Sequence, residues 1–189
     1  MDEVKKDLFT IPNLLCYFRI LLVPAFLYVF SNAVTREDYL FAAGIILIGG
    51  ITDFLDGFIA RKFNMITQLG KLIDPVADKL MQLAIIAVLA IKFPLMRLLI
   101  VLFLIKESSM LIGNLYAMKT AHRKLDGAKW FGKLSTAVFY VVSVLLIADP
   151  LMKATYRDGM IFIAIFFMSL SFLLYLPVFY QMSKSPKEK

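Results

Sequence analysis

Three observations predict an all-α, polytopic membrane protein with six transmembrane helices and both termini cytoplasmic. Of the 189 residues, 60% are hydrophobic and 19% charged, an apolar share beyond that of soluble domains. The apolar residues gather into six runs, each near the roughly 20 residues that cross a bilayer as a helix. The Lys and Arg residues between the runs are unevenly divided: twelve fall on the side of the termini and the even-numbered loops, five on the other. By the positive-inside rule the richer side is cytoplasmic, which expects a multi-pass protein of a cell membrane.

The elements follow in order. Residues 1–13 form a polar lead-in with Lys5 and Lys6, and Ile11-Pro12-Asn13 opens the first helix, proline being tolerated in a first turn. The first span covers residues 14–34. No small-residue cleavage site follows it, so it reads as a retained helix and not a signal peptide. Arg19, near its inner end, either snorkels to the headgroups or faces the bundle as a phosphate ligand. After a polar turn at 32–38, the second span covers 39–60 and ends in Asp53, Asp56 and the pair Arg61-Lys62. Residues 63–71 connect it to the third span, 72–91, which begins with Asp74 and Asp78 and carries Pro75 in its first turn. A tight turn at 92–94 leads to the fourth span, 95–118, interrupted by Lys106-Glu107-Ser108-Ser109. The loop 119–129 is the most basic. The fifth span, 130–148, carries Lys133 near its start; the sixth covers 159–182 and precedes a polar tail, 183–189. There is no internal repeat, and a single membrane domain over 1–189 is expected. Trp130 and Tyr156 fall at span ends, where aromatic belts form.

Composition also excludes functions. One cysteine, Cys16, and one histidine, His122, give no disulfide framework and argue against zinc or iron, so a metal here must be held by oxygen. Cys16 and the methionines and phenylalanines read as packing or lipid-facing residues. The net charge of +7 reads as positive loops facing the cytoplasm and anionic lipid, with no nucleic acid implied.

The stretch 53–78 carries the chemistry. Ionisable residues at bilayer depth cost at least about 2.5–3.5 kcal/mol each, so four aspartates there mark a functional site. Asp53 and Asp56 stand at i, i+3 and Asp74 and Asp78 at i, i+4, so each pair shares a helix face, and both pairs lie at the same membrane side. Gly57, Ala60 and Gly70 leave the adjoining wall nearly bare, open to a bulky ligand. Four carboxylates suit Mg²⁺ or Mn²⁺, and two such ions can serve phosphoryl chemistry. Carboxylates also line cation pathways in transporters, and a purely structural network is the third reading.

Written with its gaps, the stretch is D-x2-D-G-x2-A-R-x8-G-x3-D-x3-D, filled by Asp53, Asp56, Gly57, Ala60, Arg61, Gly70, Asp74 and Asp78. It resembles the signature of the CDP-alcohol phosphatidyltransferase family. The length, the six-span layout and the Ile11-Pro12-Asn13 opening with Arg19 resemble bacterial members as well. The resemblance implies two divalent cations held by Asp53, Asp56 and Asp74, with Asp78 as the base toward the acceptor hydroxyl and a further ligand. It implies that Gly57, Ala60, Arg61 and Gly70 bind the cytidine diphosphate of CDP-diacylglycerol, and that family members pair as homodimers.

Among family members, the likeness is greatest to those that use glycerol 3-phosphate, whose acceptor phosphate needs cations; Lys106, Arg123, Lys129 and Lys133 are the candidates. Gly132-Lys133-Leu134-Ser135-Thr136 resembles their Gly-Lys-x-Lys-Thr element with Ser135 in place of the second lysine. Lys106-Glu107 stands where Arg-Glu is usual, and Asn114 where a further arginine is common. These departures remove positive charge and keep a second acceptor in view, phosphatidylglycerol, which has no phosphate monoester.

Overall fold

The computed structural model describes residues 8–121 and 129–184. Among them are six helices and no strand: α1 Ile11–Ser31, α2 Arg36–Lys62, α3 Gly70–Lys92, α4 Met96–Ala121, α5 Trp130–Ala148 and α6 Ala154–Lys184. Four, α1, α2, α5 and α6, are by length and composition alone fit to cross a membrane. The other two are as long, 23 and 26 residues. Both carry charged residues within their length, Asp74, Asp78 and Lys79 in α3 and Lys106 and Glu107 in α4.

Local chemistry explains where the helices start and stop. Helix α1 opens with Pro12 in its first turn, and the Leu14 amide donates to the Thr10 carbonyl at 3.0 Å. Helix α2 begins inside the stretch expected to be a polar turn, because Thr35 and Asp38 form a reciprocal capping box: the Asp38 amide donates to Thr35 Oγ1 at 3.2 Å and the Thr35 amide to Asp38 Oδ2 at 2.8 Å. It ends at Lys62, beyond which Asn64 takes a left-handed conformation, φ 52°, and the Met65 amide reaches back to the Ala60 carbonyl at 3.0 Å. This is a Schellman-type stop with asparagine in the position glycine usually fills. Helix α3 starts at Gly70, two residues before its expected start, so Pro75 falls in its second turn. Helix α6 starts at Ala154 and not at 159, carrying Arg157 and Asp158 as an ion pair, Nε to Oδ1 2.7 Å, within its first turns.

The described residues group into two compact units. The first comprises those up to Lys92, with Ser143–Met152; the second comprises Phe93–Val142 and those from Lys153 on. In the first unit α1 packs on both α2 and α3, and α2 touches α3. Phe26, Ile46, Met81, Ile85 and Leu89 are fully buried there, and Gly49 admits the Met81 methyl, which a Cβ would meet at 3.4 Å. In the second unit α4 packs on α6, and Phe103, Phe139, Ile161, Met168 and Tyr175 are buried. Leu21, Tyr28, Phe41 and Ile91 in the first unit and Phe162 and Phe166 in the second are exposed, the apolar surface a lipid-embedded chain presents.

Candidate active site

The first unit gathers all four aspartates of the motif around one guanidinium. Arg19, at 0% exposure, is the largest fully buried side chain described. Its Nη1 lies 2.9 Å from Asp53 Oδ1, 3.2 Å from Asp74 Oδ1 and 2.7 Å from Asp78 Oδ1, and its Nη2 contacts Asp56 Oδ2. Arg19 therefore neither snorkels to the headgroups nor stands apart as a free phosphate ligand. Its planar fork binds one carboxylate pair from α2 and one from α3, which draws the two helix ends together.

One guanidinium is outnumbered by four carboxylates, and like charges held this close call for further positive charge. The aspartates differ in access. Asp56 is sealed, its side chain 4% exposed, whereas Asp53 and Asp74 are 45% and Asp78 28% exposed. Carboxylate oxygens of Asp53, Asp74 and Asp78 lie within 4.8 Å of one another, and so do ligand atoms of Cys16, Asp56 and Asp74. Hard oxygen donors predominate, with Asp74 common to both sets. That donor chemistry fits oxygen-ligated divalent cations such as Mg²⁺ or Mn²⁺. Of the two readings of Cys16, packing or lipid-facing, the fold bears out packing, since it is buried, and its thiol also donates to Asp56 Oδ2 at 3.5 Å.

Beside this cluster a cleft of about 190 Å³ is lined by Asp56, Gly57, Ala60, Arg61, Gly70 and Asp74, together with Pro12, Asn13 and Cys16 from α1. The six motif residues thus line one cleft, although 14 positions separate Asp56 and Gly70 in sequence. Gly57 has a local reason to be small: a Cβ there would come within 3.3 Å of Arg61 Nη1, so the missing side chain lets the guanidinium fold back over the cleft one helical turn earlier. Gly70 is tighter still, since its Cβ would lie 2.6 Å from Asn13 Oδ1 and 2.9 Å from Thr67 Oγ1. The cleft's far side is the connecting segment, with Met65, Ile66 and Thr67, followed by Lys71 in the first turn of α3.

The acceptor candidates belong to the second unit. Lys106 is buried and pairs with Glu107, Nζ to Oε1 3.1 Å. Lys133 is exposed, Ser135 is buried, and the Lys129 amide donates to the Tyr175 hydroxyl at 3.2 Å. Tyr175 also covers Gly132, whose Cβ would meet the hydroxyl at 2.5 Å, and packs edge-on against Phe131 at 4.7 Å between ring centroids. Arg123, with His122, lies outside the described residues, as does the side chain of Asn114. Thr67 and the site roles of Asn13 and Cys16 were not anticipated. One signal was available for α1: Asn13, Cys16 and Arg19 recur every third residue in an otherwise apolar helix, which marks a single inward face.

A profile of the CDP-alcohol phosphatidyltransferase family matches residues 9–176. The chain belongs to the CDP-alcohol phosphatidyltransferase family. The family match takes in helices of both units. The chain is also 45% identical over 73 residues to proteins named CDP-diacylglycerol–glycerol-3-phosphate 3-phosphatidyltransferase from Escherichia coli strain K12, Escherichia coli O157:H7 and Shigella flexneri serotype 5b (strain 8401). Each alignment covers 39% of this chain and 40% of the relative.

Proposed function

We propose that this chain transfers the phosphatidyl group of CDP-diacylglycerol to glycerol 3-phosphate, giving phosphatidylglycerophosphate and CMP, on the cytoplasmic side of a cell membrane. The observation that carries this reading is the joining of four aspartates to a cleft walled by Gly57, Ala60, Arg61 and Gly70, in a chain of this family. Small side chains leave room for a nucleotide, and Arg61 offers a fork that matches phosphate oxygens in pairs.

Asp53, Asp56, Asp74 and Asp78 would hold two divalent cations, which when bound neutralise the diphosphate and stabilise the leaving CMP. Asp78 accepts the proton of the acceptor hydroxyl, being partly open and within the same cluster. The hydroxyl oxygen then forms a bond to the lipid-linked phosphorus. The bond from that phosphorus to the oxygen bridging to CMP breaks, and CMP leaves with the electron pair. A lipid donor accounts for a polar site built at the end of two apolar helices.

A second acceptor, phosphatidylglycerol, is favoured by one feature. The phosphate of glycerol 3-phosphate needs cations, yet Lys106 is neutralised by Glu107 and Ser135 supplies none. Purified protein with CDP-diacylglycerol and Mg²⁺ separates the two by acceptor-dependent CMP release. Glycerol 3-phosphate as the sole productive acceptor is the expected result. Release with phosphatidylglycerol instead would make cardiolipin the product, and none with any alcohol would return the carboxylates to cation transport.

A further inference from the structure

The cleft's far wall is held by one hydroxyl. Thr67, 7% exposed, lies in the segment between α2 and α3, and Asn13, 1% exposed, lies 54 positions earlier in the first turn of α1. Asn13 Nδ2 donates to Thr67 Oγ1 at 3.0 Å, Thr67 Oγ1 pairs back with Asn13 Oδ1 at 3.2 Å, and the Gly70 amide donates to the same Thr67 oxygen at 2.9 Å. The hydroxyl thus caps the entry to α3 and binds that entry to α1. Gly70 packs so closely on both side chains that a methyl group at this position would overlap them. The same face of α1 continues to Cys16, against Asp56, and Arg19, against all four aspartates. A single helix face therefore sets the spacing between the cleft's far wall and the carboxylates.

From this juxtaposition we infer that Asn13 and Thr67 are positioning residues for the nucleoside diphosphate of the donor, fixing the 63–70 segment as the wall against which it binds. The inference rests on reading the cleft as the donor site. Neither side chain carries charge or sits among the carboxylates, so its effect is on donor binding and not on the chemical step. Both are buried and polar, and losing a hydrogen bond between such groups in a water-poor site is costly.

The test uses the full-length protein with Thr67→Val, which keeps the shape and removes the hydroxyl, and Thr67→Ser, which restores it. Thr67→Val is expected to raise KM for CDP-diacylglycerol, and Kd for CDP, by about tenfold while kcat at saturating donor stays within about twofold. Thr67→Ser is expected to recover most of this. Trypsin supplies a readout independent of activity: cleavage after Lys62 and Lys71, which bracket the segment, should accelerate in Thr67→Val and not in Thr67→Ser. If Thr67→Val does not fold, Asn13→Asp, which keeps the size but loses the amide donor, is read in its place. Unchanged KM and unchanged proteolysis would overturn the inference, as would a fall in kcat with KM intact. Faster cleavage in a protein that does not bind CDP even as wild type would overturn the donor reading while leaving the latch between Asn13 and Thr67 standing.

Discussion

Replacing Arg19 with methionine leaves four carboxylates without their internal cation, and removing one partner from a buried ion pair costs about 3–5 kcal/mol. The thermal unfolding midpoint of Arg19→Met in detergent should therefore fall well below that of the wild type, with added Mg²⁺ recovering part of the loss; an unchanged midpoint would mean that Arg19 is not the tie. Arg61 lines the cleft, and on the proposed donor site it would act on the ligand and not on the fold. Arg61→Lys keeps the charge but loses the fork, and Kd for CDP is expected to rise about tenfold, read by titration at fixed Mg²⁺. Asp53, Asp56, Asp74 and Asp78 were legible in the sequence because carboxylates at bilayer depth demand a use and their spacing fixes their helix faces. Arg19 was visible but not assignable, since a cation near the end of a span reads equally well as snorkelling until the helices that surround it are known.

At the scale of elements, the six helices were legible from run length and their ends only in part. Helix α2 starts early because the Thr35–Asp38 box outweighs the polar character of residues 36–38, and α6 starts early because Arg157 and Asp158 satisfy each other. Sequence periodicity carries neither effect. The pairing of Asn13 with Thr67 joins residues 54 positions apart and has no local signature, although Thr67 before Gly70 was recognisable as a helix cap. The entry to α5 offers a separate check within the second unit. Gly132→Ala should destabilise the protein by about 1–3 kcal/mol through overlap with the Tyr175 hydroxyl. Adding Tyr175→Phe removes the atom in the way, and the double variant should be more stable than the sum of the two single changes implies. Strict additivity in thermal melts would contradict the contact.

For the whole molecule, the apolar composition and the family signature were both available from the chain, and the match over residues 9–176 agrees with that reading. The acceptor was not legible, because the sequence alone does not show which lysines along its second half are neutralised by a neighbour. Lys106 illustrates this: beside Glu107 in sequence it is a candidate cation, and in the fold it is paired and buried. The orientation proposed from the basic loops has its own consequence, that a cysteine placed near Lys71 reacts with a membrane-impermeant thiol reagent only after the cytoplasmic side is opened.

The central claim, that the four-aspartate centre transfers a phosphatidyl group, is tested most directly by measuring CMP release and CDP binding side by side in wild type and Asp78→Asn. The wild type, given CDP-diacylglycerol, glycerol 3-phosphate and Mg²⁺, should release CMP together with an equal amount of phosphatidylglycerophosphate, and chelation of the metal should stop both. Asp78→Asn should abolish release while leaving CDP binding within a few-fold, because on the proposed mechanism the lost carboxylate is the base, and Asp53, Asp56, Asp74 and the asparagine's remaining oxygen would still hold the cations. Release undiminished in Asp78→Asn, or no metal-dependent release by the wild type, would contradict the account.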